Sequence, residues 1–185
     1  MSTTTASLTG TYAIDPTHSR IGFVARHAMV TKVRGSFNGF EGSGYFDVEN
    51  PAGSRAELTI QAASIDTRNA DRDGHLRSND FFDMETYPEI RFASTSVEQV
   101  DGGNYRVTGD LTIKGITKPV TVDFEYTGAA VDPYGNQRIG LEGSTTVNRK
   151  DWGVSWNAAL ETGGVLVGEK VTLEFEVSAI RTDVS

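Results

Sequence analysis

The chain has 185 residues, no cysteine and a formal net charge of −8 at pH 7. This length is typical of one domain with a substantial core. The missing cysteine excludes disulfides, thiolate chemistry and cysteine-ligated metals. The acidic balance and the scattered Lys and Arg residues argue against binding to nucleic acid or to anionic membrane surfaces.

The first ten residues differ in composition from the rest. Residues 1–10 are rich in Thr and Ser and contain no Lys, no Arg and no apolar core. They are therefore predicted to be a disordered lead rather than a secretory signal. Residues 11–185 are predicted to form a single domain. No apolar stretch approaches the roughly 20 residues of a transmembrane helix.

Alternation of apolar and polar residues dominates the chain. In the last such segment Val171, Leu173, Phe175 and Val177 point one way and the residues between them point the other. A period of two is typical of a strand with one buried and one solvated face. Eight segments show it: 19–29, 31–48, 55–65, 89–100, 105–114, 118–128, 137–147 and 171–178. Eight strands with local connections predict an all-β, up-and-down antiparallel barrel.

Two kinds of interruption are expected in this barrel. Gly35, Gly39, Gly42 and Gly44 predict bends or bulges within one long strand. The segment 66–88 has no period of two, and Asp66 or Thr67 is predicted to cap a short helix that ends near Ser78. In the fourth strand Ile90 and Phe92 are predicted to point inward, together with Ser94 and Ser96.

The inward faces give the candidate ligand-binding residues. They are Phe23, Ala25, His27, Leu58, Ile60, Phe92, Leu111, Ile113, Phe124, Leu141 and Phe175. His27 is either a core histidine or a polar contact for a ligand head group. The mixture of large and small side chains fits an open lumen or a filled core. Substituting Ala25 or Gly109 by Phe is expected to separate these two possibilities.

Two groups of residues contain side chains of the kind that bind metals. His18, His27 and His75 have no spacing typical of metal ligands. The second group partly matches an EF-hand loop and consists of Asn69, Asp71, Asp73, Gly74, Leu76 and Asp80. Asp80 is shorter than the usual bidentate Glu, and the preceding segment is strand-like. This group is therefore interpreted as a capped helical turn in which Asp73 pairs with a nearby Arg. No metal and no cofactor are predicted.

Catalytic motifs are also missing from the sequence. No serine lies in a G-x-S-x-G turn, and the glycine-rich segment 35–44 lacks the Lys-Ser/Thr ending of a phosphate loop. The protein is therefore predicted not to be an enzyme. Four aromatic residues outside the alternating segments are predicted to line or cover a barrel mouth, or to plug it: Phe81, Phe82, Trp152 and Trp156. The two tryptophans are equally suited to a dimer interface.

Ordered motifs along most of the chain resemble those of the YceI-like family, the polyisoprenoid-binding, lipocalin-like barrel proteins. They are Tyr12-x-Ile14-Asp15-x-x-His18-Ser19, Gly35-x-Phe37, Ser64-Ile65-x-Thr67, Arg72-Asp73-x-His75-Leu76, Asp80-Phe81-Phe82-Asp83, Tyr87-Pro88-x-Ile90-x-Phe92, Gly109-Asp110-Leu111-Thr112-Ile113-x-Gly115 and Asn148-Arg149-x-Asp151-x-Gly153. Each motif is weak alone, and the ordered set is specific. Arg149 and Asp151 fit either a structural ion pair or a ligand contact.

The resemblance implies an extended eight-stranded barrel that binds and carries a long amphiphile. The family's ligands are prenyl quinones, prenyl alcohols or phosphates, or fatty-acid derivatives, and its members are bacterial and often homodimers. Many relatives carry a signal peptide and are periplasmic, whereas this chain shows none, so the expected location is the cytoplasm. The alternative function is a structural or stress-response barrel with a filled core that acts through a protein partner.

Overall fold

The computed structural model describes residues 8–28, 30–154 and 167–183. The strands are β1 (Gly10–Ile14), β2 (Arg20–His27), β3 (Thr31–Phe37), β4 (Phe40–Phe46), β5 (Arg55–Gln61), β6 (Ile65–Asp66), β7 (Glu89–Asp101), β8 (Asn104–Ile113), β9 (Ile116–Val131), β10 (Gln137–Asn148) and β11 (Val167–Arg181). The α-helix, α1, spans Ala70–Arg77. No helix in this described part of the chain has the length and apolar character needed to cross a membrane.

The strands form one closed antiparallel barrel. Hydrogen-bonded neighbours follow the order β1-β4-β5-β7-β8-β9-β10-β11, and β11 pairs again with β1. The predicted eight-stranded antiparallel barrel is therefore confirmed. Eight strands give an interior that side chains can fill or that can hold one small ligand.

Three of the eight barrel strands are each interrupted once. The eleven strand segments therefore form eight barrel strands. β1 and β2 run the same way along β11, with Tyr12 opposite Arg181 and Ile21 opposite Phe175. A short 3₁₀ helix at Pro16–His18 separates them. β3 and β4 are likewise two halves of one strand, and so are β5 and β6, which another 3₁₀ helix at Ala62–Ser64 divides.

The start of the barrel lies earlier than predicted. β1 begins at Gly10, and Leu8 is only 6% exposed. The Tyr12 hydroxyl donates a hydrogen bond of 2.7 Å to the Leu8 carbonyl. Residues 8–10 therefore belong to the ordered domain and not to a disordered lead. The sequence does not reveal β1 because the interruption at Pro16 leaves it too short to show a clear period of two.

The inward register of β7 also differs from the prediction. The pairing of β7 with β8 shifts between Ser94 and Ser96, which marks a β-bulge. Beyond the bulge Val97 is 9% exposed and lies inside, whereas Ser96 is exposed. A bulge places two residues opposite one and so reverses the alternation that follows it. The predicted inward position of Ser96 is therefore wrong.

Helix α1 has a different cap from the one predicted. The Asn69 side chain accepts a hydrogen bond of 3.0 Å from the Arg72 N–H, so Asn69 is the N-cap and neither Asp66 nor Thr67 is. Asp73 is buried, and its Oδ1 accepts bonds of 2.9 and 2.6 Å from the N–H and hydroxyl of Thr67. The partner of Asp73 is thus Thr67, and no Arg among the described residues forms an ion pair with it.

Candidate functional site

The barrel encloses a cavity of about 310 Å³. Close-packed protein interiors contain few voids larger than a water molecule, whose share of liquid volume is about 30 Å³. This cavity is about ten times larger and lies within the size range of ligand sites, at its lower end. Side chains therefore leave part of the barrel interior unfilled.

The residues predicted to bind a ligand are brought together around this cavity. Ten of them line it: Phe23, Ala25, Leu58, Ile60, Phe92, Leu111, Ile113, Phe124, Leu141 and Phe175. The side chain of the eleventh, His27, lies outside the described residues. All ten lining residues are hydrocarbon or aromatic, so the wall they form is apolar. Their contact with a ligand stays a prediction.

One end of the cavity lies beside α1, and we call it the helix-side end. Phe81, Phe82 and Trp152 line the cavity there. Phe82 meets the Phe37 ring edge-on with centroids 6.1 Å apart, and the Trp152 Nε1–H donates a bond of 2.9 Å to the Leu111 carbonyl. These aromatic side chains cover the end of the lumen, where the sequence predicted a mouth. Trp156 lies outside the described residues.

A buried arginine fixes the same end. Arg149 is 7% exposed. Its guanidinium donates bonds of 2.6 Å to the Val154 carbonyl, 2.9 Å to the Gly168 carbonyl and 3.2 Å to the Val167 carbonyl. Burial lowers the pKa of Arg149, while the negative charge of Glu169 acts in the opposite direction. Arg149 therefore ties the end of β10 to the start of β11, whereas Asp151 is exposed.

The opposite end of the cavity carries a cluster of aromatic rings, which we call the tyrosine end. Its residues are Tyr12, Phe46, Tyr105 and Tyr126. The Phe46 ring meets Tyr105 edge-on at 5.6 Å and stacks on Tyr126 at 6.4 Å between centroids. Burial raises the pKa of Tyr12, Tyr105 and Tyr126. In the sequence, Tyr105 alternates with Val107 and Tyr126 with Phe124, which predicts inward positions but indicates no role for either tyrosine.

The histidines with described side chains lie outside the lumen. His18 Nδ1 is 2.8 Å from Asp15 Oδ2, and His75 Nε2 is 2.7 Å from Asp80 Oδ2. The residues that resembled an EF-hand loop lie on and around α1. Within residues 8–28, 30–154 and 167–183, no group of three or more His, Asp or Glu side chains is arranged to hold a metal ion.

Solved structures with the same architecture support this description. BcnA of Burkholderia cenocepacia is 27% identical with a TM-score of 0.79, over 89% of this chain and 98% of that one. A polyisoprenoid binding domain from Saccharophagus degradans, implicated in plant cell wall breakdown, has a TM-score of 0.68 over 92% of this chain and 98% of its own. It is 17% identical, so this likeness concerns the fold alone.

Sequence relatives cover most of the chain. A UPF0312 protein of Photorhabdus laumondii is 44% identical over 149 residues, which are 80% of this chain and 77% of the relative. A UPF0312 protein of Staphylococcus aureus is 41% identical over 169 residues, which are 91% of this chain and 95% of the relative. The model of the YceI-like domain matches residues 12–179. The chain therefore belongs to the YceI-like family.

Proposed function

We propose that this protein binds a long apolar amphiphile, such as a polyisoprenoid or a fatty-acid derivative, in the barrel lumen and carries or stores it without chemical change. The observation that carries this proposal is the cavity of about 310 Å³ inside a closed barrel. Its wall contains Phe, Leu, Ile and Val side chains from both ends of the barrel. Such a wall favours hydrocarbon over any polar solute.

The energetics fit a ligand with a long chain. Burial of one CH₂ group in an apolar site contributes about 0.8 kcal/mol. About fifteen such groups contribute about 12 kcal/mol, and the loss of ligand and side-chain freedom costs about 4 kcal/mol of this gain. The remainder, with a few polar contacts, corresponds to micromolar binding.

The shape of the lumen favours an elongated ligand. Tyr105 and Ile113 both line the cavity and lie at opposite ends of β8. Eight residue steps of about 3.3 Å cover roughly 26 Å along the strand, which a tilt of about 40° reduces to about 20 Å along the barrel axis. A space that is long but small in volume is narrow, so it suits a single extended hydrocarbon chain.

A non-catalytic role is supported by the chemistry of the wall. The ten candidate residues that line the cavity carry no nucleophile, acid or base. Of the serine and glutamate residues that also border it, Ser43 and Glu57 are exposed, and the Ser54 hydroxyl accepts a bond of 2.9 Å from the Asp47 N–H. Trp152 and Arg149, which are polar and line the helix-side end, already donate to backbone carbonyls. The expected cytoplasmic location and the homodimer stay predictions.

The test is mass spectrometry of the purified protein under native and denaturing conditions, with analysis of an organic extract. A bound mass that is lost on denaturation and recovered as a prenyl or acyl compound is the expected result. Ala25→Phe, which puts a large side chain into the lumen, is expected to remove the bound mass. Val24→Phe on the opposite face of β2 is the matched control and is expected to keep it.

An empty wild-type protein that also fails to bind added prenyl quinones, prenyl alcohols and long-chain amides would contradict the proposal. That outcome would favour the alternative, a barrel that acts through a protein partner.

A further inference from the structure

We propose that the tyrosine end binds the polar head group of the ligand, and that the hydroxyls of Tyr105 and Tyr126 donate hydrogen bonds to a neutral carbonyl oxygen of that head group. This inference rests on the proposed function, since it assumes a ligand in the lumen. It selects a carbonyl-bearing head, as in a quinone, an ester or an amide, over a phosphate.

The two ends of the cavity differ in the polar groups that they leave for a ligand. At the helix-side end the Trp152 Nε1–H donates to Leu111 and the Arg149 guanidinium donates to three backbone carbonyls. These donors hold the protein together. A head group at this end would have to break bonds that fix β10 to β11.

At the tyrosine end two hydroxyls have no partner among the residues that the structure describes. The Tyr12 hydroxyl donates to Leu8. Among the described residues, no hydrogen bond is formed by the hydroxyls of Tyr105 and Tyr126, although Tyr105 is 7% exposed and lines the cavity. Both hydroxyls keep some accessible surface. Tyr105 lines the cavity directly, and Tyr126 stacks on Phe46, which also lines it. Tyrosine hydroxyls in largely buried residues usually have a hydrogen-bond partner, so these two are available to a polar group of the ligand.

The charge of the surroundings decides which head group is favoured. Burial raises the pKa of Tyr105, and burial together with Tyr105 raises that of Tyr126, so both phenols stay protonated and act as donors. Arg181, the cation that acts on Tyr12, is 2.8 Å from Asp183. Arg55, which also borders the cavity at this end, is exposed on β5 with its guanidinium 5.7 Å from the centroid of the Tyr45 ring. A phosphate in the lumen would require cationic donors such as Arg or Lys that point into it.

The outer surface beside the tyrosine end strengthens this preference. Mostly acidic residues line an outer groove that also touches Tyr105, and the Arg106 in this groove is paired with Asp123 at 3.0 Å. Glu142 lies directly opposite Glu125 on one neighbouring strand and opposite Glu176 on the other. These negative charges oppose the approach of an anionic head group, while a neutral carbonyl oxygen is not repelled. The Phe46 ring, which lines the cavity, provides a flat wall that suits a planar group.

The test compares three probes that share one chain, geranylgeranyl benzoquinone, geranylgeranylbenzene and geranylgeranyl phosphate, with palmitamide, which carries an amide on a linear chain. Wild-type protein is expected to bind the quinone or the amide more tightly than the other two, and the one that binds better identifies the source of the carbonyl. The double variant Tyr105→Phe/Tyr126→Phe is expected to lose about tenfold or more in affinity for the carbonyl probe only. Tyr134→Phe removes a hydroxyl that lies on an 89% exposed residue and is the control.

Two further readouts separate ligand binding from a structural role. The infrared carbonyl band of the bound probe is expected to shift to lower frequency in the wild type and to return in the double variant. The empty double variant is expected to be as stable as the wild type, because no protein hydrogen bond is lost.

The inference is overturned if the double variant binds all four probes as the wild type does, since the hydroxyls would then be merely hydrated. Tighter binding of the phosphate also overturns it. In both cases lipid binding itself would stand. If the wild type binds none of the four probes, the proposed function fails instead.

Discussion

At the scale of single residues, Arg138 connects three parts of the barrel. Its Nη1 is 2.8 Å from Asp15 Oδ2 between β1 and β2, and its Nε is 2.8 Å from Asp132 Oδ2 in the turn after β9. Hydrogen bonds from the side chains of Thr17, Arg138 and His18 hold the pKa of Asp15 well below its usual range. For Asp132, burial acts to raise the pKa, but bonds from Asn136 and Arg138 outweigh it and lower the pKa to about 2.

This arrangement predicts a loss of stability in acid. A carboxyl whose pKa is lowered by folding contributes stability above its unfolded pKa, near 3.9, and the contribution disappears as the pH falls through the folded pKa. The wild-type melting temperature is therefore expected to fall between pH 4 and pH 2. Arg138→Gln is expected to lower it at pH 7 and to reduce its change below pH 4, measured by circular dichroism.

Arg106→Gln is the control, because its ion pair with Asp123 is exposed and such pairs contribute little. Equal effects of the two substitutions would mean that the Arg138 bonds do not stabilise the fold.

Alternation alone identified inward positions but not the space around them. A Cβ atom at Gly109 would lie 2.5 Å from the Ala93 carbonyl oxygen and 2.5 Å from Phe92 Cζ. Gly109→Ala is therefore expected to destabilise the protein by about 1–3 kcal/mol through overpacking against backbone. The expected result of Gly109→Phe is a protein that does not fold, whereas Ala25→Phe, which points into the cavity, is expected to fold.

Urea denaturation of these three variants provides the measurement. A stable Gly109→Phe protein with no ligand would contradict the close contact with Ala93. The structure thus leaves Ala25 as the informative position of the two that the sequence suggested.

At the scale of elements, the sequence predicted the eight strands because each pairs one solvated face with one apolar face. It failed where local geometry changes the count of residues. The bulge in β7 replaces Ser96 by Val97 on the inside. In α1 several residues can act as a cap, and only the folded chain shows that Asn69 does so. In both places the structure differs from the prediction by a shift along the chain that the pattern of apolar residues does not reveal.

The bulge makes the two neighbouring residues respond differently to substitution. Val97→Ser is expected to cost about 1–3 kcal/mol because it removes buried apolar surface. Ser96→Val is expected to change stability by less than about 0.5 kcal/mol because the side chain is exposed. The free energies of unfolding, measured in urea, test this. A larger loss of stability for Ser96→Val than for Val97→Ser would mean that Ser96 points inward, as an uninterrupted alternation predicts.

At the scale of the whole molecule, the lumen wall was predictable and its volume was not. Ten predicted residues line the cavity because alternation fixes which face turns inward. Whether opposite walls meet depends on strand tilt and on the interruptions at Pro16–His18 and Ala62–Ser64, which no single segment encodes. The tyrosine end was missed for a related reason, since Tyr12, Phe46, Tyr105 and Tyr126 come from four separate strands.

A lumen of fixed length predicts how affinity depends on the length of the ligand. For n-alkyl amides of increasing length, each added CH₂ buried in the lumen contributes about 0.8 kcal/mol, or about a fourfold gain in affinity. The gain is expected to stop when the chain fills the roughly 20 Å between the two ends, because further groups stay in water. The rise in melting temperature at a fixed ligand concentration is expected to follow the same dependence on chain length. A ligand at 100 times its Kd stabilises the folded state by about 2.7 kcal/mol.

The Ala25→Phe variant tests whether the ligand binds inside the barrel. If the lumen is the site, this substitution shortens the available length, and affinity is expected to stop rising at a shorter chain than in the wild type. Val24→Phe, on the outer face, is expected to leave the series unchanged. An affinity that does not depend on chain length, or that changes equally in both variants, would place the binding site on the outer surface of the barrel, where apolar chains bind without an upper length.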